Sequence, residues 1–126
     1  MGADSSFLVF IENDATLADA EAKLTASWLD AVRDGDVLVV RSDNGAELLI
    51  GESDAPHVKI EAEEIAEWKG VPEIAACTRR FEVHVPDLEA SLDNYNSLFE
   101  TQMILGQLSA GWILLSWNGE LLREWE

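Results

Sequence analysis

Residues 7–11, Phe-Leu-Val-Phe-Ile, are apolar at every position, as in a strand buried on both faces. Over residues 16–33 the period changes. Leu17, Ala20, Leu24 and Trp28, then Ala31 or Val32, recur at three- and four-residue spacing while Asp19 and Asp30 fall off the stripe. That pattern predicts an amphipathic helix. Thr16 with Asp19 three residues on forms an acidic variant of the capping box at its start, and Gly35 marks its end. Residues 36–41 (DVLVVR) then read as a strand, Asp43-Asn44-Gly45 as a two-residue hairpin turn, and 46–50 (AELLI) as the returning strand.

The order recurs. In Phe81–Val85, Phe81, Val83 and Val85 alternate with Glu82 and His84. Pro86 and Asp87 open a helix whose side carries Leu88, Leu92, Tyr95, Phe99 and Met103, with Gly106 or Gly111 as its breaker. WILLSW, Asn118-Gly119 and ELLREW make a second hairpin. Phe7 and Phe81 are 74 positions apart, as are Asn44 and Asn118, and Glu47 and Glu120 are 73 apart. The chain therefore reads as α+β: two pseudo-repeated β-α-β-β units, about 7–50 and 81–125, forming one mainly antiparallel sheet with helices packed on one face. An acidic helical connector, 51–78, joins them within a single domain. In it, HVKI (57–60) suits an added strand. EAEEIAEW (61–68) suits a short helix with Ile65 and Trp68 inward and Glu61, Glu63, Glu64 and Glu67 outward.

Charge changes the picture more than composition does. The chain of 126 residues carries a formal charge of −17. Residues 1–70 hold 16 acids and five bases, and the rest nine and three, so the excess belongs to the whole surface. Such a field repels nucleic acid and anionic membranes, and steers basic proteins inward. Solubility or a high-salt habitat is the plainer account of the same charge. One cysteine, Cys77, rules out an internal disulfide framework and a cysteine-built zinc site. No apolar stretch approaches the length of a membrane span, and no signal peptide is visible, so a cytoplasmic location is expected. The loose myristoylation pattern of MGADSS lacks a polybasic second anchor.

Candidate chemistry is sparse. Glu82 and His84, two apart on a strand, leave the same face and suit a metal or an acid–base pair. Cys77 lies near Arg79 and Arg80, which would lower a thiol pKa, but no signature of a thiol enzyme surrounds it and a small buried residue is the favoured reading. SDNGAE lacks the ligand spacing of a calcium loop. Phosphate-loop, dinucleotide and hydrolase motifs are missing from the sequence. No catalytic residue, cofactor or metal is assigned.

FEVHVPDLEASLDNYNSLFE (81–100) resembles the opening of a glyoxalase-type, vicinal oxygen chelate module, whose first strand often leads through Val-x-Asp-Leu into a helix with a Tyr and a closing Leu-Phe. The resemblance covers about 20 residues and implies paired β-α-β-β-β units. The metal-binding His of such modules lies earlier in its strand than His84, so no site residue is transferred.

The chain has five Trp residues, three of them Trp112, Trp117 and Trp125 near its end. FLVFI, DVLVV and GWILLSW are apolar on both faces, so the second sheet face needs cover. The connector, a second copy or another protein would each supply it. The leading expectation is a non-catalytic acidic binding protein that sequesters a basic partner, in the manner of an immunity protein or inhibitor. Trp112, Trp117, Trp125, Glu63, Glu64 and Glu67 are its candidate contacts. A small-ligand or metal-dependent enzyme using Glu82 and His84, and a structural homodimer, are the alternatives.

Overall fold

The computed structural model describes residues 5–27, 29–42, 45–86, 95–115 and 119–122. In chain order these form β1 (Ser5–Ile11), α1 (Leu17–Ala26), β2 (Asp30–Asp34), β3 (Val37–Arg41), β4 (Glu47–Ser53) and α2 (Pro56–Lys69). A 3-10 helix (Pro72–Ala76), β5 (Arg79–Val85), α3 (Tyr95–Ser109), β6 (Ile113–Leu115) and β7 (Leu121–Leu122) follow. All described strands join one antiparallel sheet in the order β2-β3-β4-β5-β1-β6-β7. The α+β class is as expected.

The centre of the sheet is the β1–β5 pair, in register from Ser5 opposite Val85 to Ile11 opposite Arg79. Strand alternation sends Phe7, Val9 and Ile11, with Phe81, Val83 and Val85, to one face. There they pack with Leu17, Ala20 and Leu24 of α1 and Leu98 and Leu105 of α3. Phe10 and Leu114 point the other way, into a second core with Ala62, Ile65 and Ala66 of α2, and with Ile74 and Cys77. Phe7, Phe10 and Phe81 are fully buried, each burial contributing on the order of 1.5–3 kcal/mol. Helices therefore lie on both faces, which corrects the expectation of one. The connector supplies the second layer because the apolar backs of β1 and β6 require one.

The repeat does not carry into the sheet. The β3–β4 hairpin runs inward and ends beside β5, whereas the β6–β7 hairpin starts beside β1 and runs outward. A two-fold axis between β1 and β5 would match β4 with β6, but the sequence offsets match β3 with β6. The two Asn-Gly turns also close differently. Ser42 N–H donates to the Ala46 carbonyl at 2.8 Å across three intervening residues; Leu115 N–H donates to the Glu120 carbonyl at 2.9 Å across four. In both, a glycine takes the left-handed conformation, Gly45 at φ 85° and Gly119 at φ 71°. Neither is the two-residue turn expected. Asp43, Asn44 and Asn118 themselves lie outside the described residues.

Three element boundaries differ from the sequence pattern. Helix α1 stops at Ala26, where Leu29 N–H returns to the Leu24 carbonyl at 3.1 Å, the long-range bond of a Schellman ending. Residues 30–34 then pair with β3 as a strand, so the helical stripe through Ala31 and Val32 is overridden by the hairpin across Gly35 and Asp36. HVKI is helical: Pro56 opens α2, and Val58, Ala62, Ile65 and Ala66 form its buried stripe. Trp68 lies off that stripe and is 63% exposed. Gly106 sits inside α3, whose end is marked by Ala110 at φ 53°. The helix start expected at Asp87, with Leu88 and Leu92, lies outside the described residues. The capping box is present, with Thr16 N–H on Asp19 Oδ2 at 2.9 Å and Asp19 N–H on Thr16 Oγ1 at 3.3 Å.

Gly111 connects α3 to β6 where the chain passes directly against β1. A Cβ there would fall 1.6 Å from the Phe10 carbonyl oxygen, and that oxygen belongs to a central strand. Gly111→Ala is expected to destabilise the protein by more than about 2 kcal/mol, read as a lowered denaturation midpoint at unchanged m-value.

Candidate functional site

The sheet face that carries Phe10 is only half covered. Its side chains form rows across the strands. Arg80 and Phe10 are opposite one another and lie beneath α2. The next row runs Gly51, Glu82, Leu8, Leu114, Leu121. The row beyond, Val32, Val39, Leu49, His84, Ser6, has no described element above it. Val32 is 59% exposed, and Val39 and Leu49 are half-buried. A depression of about 500 Å³ lies over Val32, Val39 and Leu49, rimmed by Asp30, Arg41 and Glu47. A second, of about 600 Å³, shares Leu49 and is lined by Ser6, Leu8, Glu61, Glu82 and His84. A third, of about 370 Å³, shares Leu8 and Glu61 and reaches Trp68.

Neighbouring arginines on β5 fix this layout. Arg80 points to the half-covered face, is 4% exposed, and links sheet to helix. Its Nη1 donates to Glu61 of α2 at 2.8 Å; Nε and Nη2 reach Glu82 at 2.8 and 2.6 Å. Nε and Nη2 share one oxygen of Glu82 and Nη1 takes one of Glu61, so the buried guanidinium is paired while both carboxylates keep contact with water. Arg79 points to the opposite face. It donates to the Ala15 carbonyl and to Glu52, whose other oxygen accepts the Leu17 N–H at 2.9 Å, so it holds the entry to α1. At the rim, Arg41 donates to Glu47 at 2.7 Å. That hydrogen bond, aided by the charges of Glu47 and Asp30, raises the guanidinium pKa.

Glu82 and His84 do leave β5 on one face, Glu82 half-buried and His84 exposed. The Glu82 carboxylate is engaged by Arg80, and His57 of α2 stands 3.7 Å from the same carboxylate. Among the described residues, no three His, Cys, Asp or Glu side chains gather as a metal site would require. Trp112 is half-buried against the second core instead of standing free as an anchor. Trp117 and Trp125 lie outside the described residues. Glu63, Glu64 and Glu67 are exposed on α2. Sequence reasoning missed Val32, assigned to a helix, and Trp68, turned inward. Their signals were the β-branched run beside Gly35 and the offset of Trp68 from the Val58–Ala62–Ile65–Ala66 stripe.

Cys77 is buried, and burial, reinforced by the Glu12 charge, pushes its thiol from 9.0 up to about 11. This is a packed residue, the opposite of an activated nucleophile. In the native protein it is expected to react with an aromatic disulfide reagent at least about 100-fold more slowly than in urea. Its raised pKa also makes stability fall as pH climbs above 9.0, because the unfolded chain's thiol ionises first. For Arg80, replacing both partners (Glu61→Gln with Glu82→Gln) strands a buried cation and is expected to cost about 3–5 kcal/mol. Arg80→Met, which leaves only the two part-exposed carboxylates, is expected to cost less. Urea titration of both variants checks the order. Comparison with protein-family models, curated proteins and solved structures returned no match.

Proposed function

We propose that this chain is a non-catalytic binding protein whose acidic, half-covered sheet face captures a basic protein partner, an immunity- or inhibitor-like role. One observation carries the reading: Val32, Val39 and Leu49 form an open apolar row on a face whose other half is packed beneath α2. Burying such a row supplies the hydrophobic core of an interface. The surrounding carboxylates and the chain charge of −17 supply encounter rate and selectivity for cations. The same charge disfavours nucleic acid and anionic membranes as partners. Among the described residues no helix is long and apolar enough to cross a membrane.

Affinity capture from source lysate tests the reading, comparing wild type with Leu49→Asp at low and physiological salt. A basic protein retained by wild type, weakened by salt and lost with Leu49→Asp is the expected result. Its absence under every condition sinks the proposal.

A further inference from the structure

The open row has two banks, and their geometry narrows the kind of partner segment that fits. On one side stands α2. His57, Glu61, Glu64 and Trp68 fall at i, i+4, i+7 and i+11, within about 60° on a helical wheel. This flank is turned away from the buried Val58–Ala62–Ile65 stripe, and Glu61, Glu64 and Trp68 line the depression beside it. On the other side is the next row of the sheet, Asp30, Arg41 and Glu47, in which Arg41 is paired with Glu47, while Asp34 lies on the α2 side of Val32. Between the banks the floor is Val39, Leu49 and Leu8.

From β2 to β1 the uncovered row, apolar at Val32, Val39 and Leu49 and polar at His84 and Ser6, spans four inter-strand steps, about 19 Å. A helix of about 13 residues has that length. The row runs across the strands, so an extended peptide along it would gain no ladder hydrogen bonds from the sheet. A helix needs none, because its backbone is internally satisfied. Laid beside α2, it would complete the layer that α2 leaves half built.

We propose that this groove receives an amphipathic helix of the partner, with an apolar stripe on Val32, Val39 and Leu49 and Lys or Arg along the margin that faces α2. Glu61, Glu64 and Asp34 lie on that margin, Asp30 stands across the row, and Trp68 closes the end beside β6. Among the described residues, a second copy of this chain offers no such segment. Helix α3 has no Lys or Arg, α1 has only Lys23, and α2 sets Lys59 and Lys69 against four Glu, so self-docking would set acid against acid. This inference rests on the capture of a basic partner proposed above and adds the form of the captured segment.

The test uses two synthetic peptides of Leu and Lys, identical in composition, one patterned as an amphipathic helix of three to four turns and one scrambled. Titration of the full chain is followed by fluorescence anisotropy and by amide chemical shifts. The patterned peptide is expected to bind at least about tenfold more tightly. Shifts should centre on Val32, Val39, Leu49 and Glu64. Leu49→Asp and Val32→Asp should each abolish the preference, with unchanged circular dichroism. Val32 is already solvent-exposed, so Val32→Asp decides the matter if Leu49→Asp fails to fold. Equal binding of both peptides, unaffected by the substitutions, overturns the groove and leaves the acidic-capture reading standing. Binding of neither peptide at low salt overturns both. A concentration-dependent dimer dispersed by Val32→Asp in sedimentation replaces the foreign helix with a second copy and overturns the inference.

Discussion

Strand β1 is apolar toward both of its faces, and the rest of the molecule answers to that constraint. Phe7, Val9 and Ile11 look one way, Leu8 and Phe10 the other. A central strand of this kind needs two covering layers, because leaving either face wet forfeits on the order of 25 cal/mol for each Å² of apolar surface. Helices α1 and α3 make the first layer. The second is the connector, with α2 and the 3-10 helix folded over Phe10 and Leu114. That layer is shorter than the sheet is wide, and the open row over β2, β3 and β4 is the consequence.

Electrostatics then fixes where the second layer stops. Arg80 is buried only because Glu61 and Glu82 meet its guanidinium from helix and sheet. That network pins α2 above β5, leaving the β2 side uncovered. Arg79, one residue earlier and so on the other face, holds the α1 entry through Glu52 and the Ala15 carbonyl. In a chain this acidic, two adjacent cations divide the work of tying both layers to the central strand.

Much of this was legible along the chain. The all-apolar FLVFI, the alternation of Phe81, Val83 and Val85, and the Thr16–Asp19 capping box predicted elements that are present. The need for cover on a second face was legible too, and the connector meets part of it. The misreadings share a cause. Ala31 and Val32 fit a helical stripe as well as a strand, and pairing with β3 decided between them. HVKI fits a strand by composition, but Pro56 and the spacing of Val58 to Ala62 and Ile65 put it in α2. For the site, Glu82 and His84 were correctly set on one face. The pairing of Glu61 with Arg80 was invisible, since Glu61 comes from 19 residues away.

The sequence by itself determined the acidity, the elements outside residues 30–34 and 57–60, and the glycines at which the hairpins turn. These depend on side chains within a few residues of one another: periodicity, caps, and glycines that tolerate positive φ at Gly45 and Gly119. Only the tertiary structure decided that the two similar hairpins are not equivalent, one running in toward β5 and the other out from β1. Strand order is set by which edges meet and which faces find cover, and those are long-range contacts that local spacing does not encode. The half-open face follows from that order and from the Arg80 network that holds α2 above β5, since it exists only where α2 fails to reach.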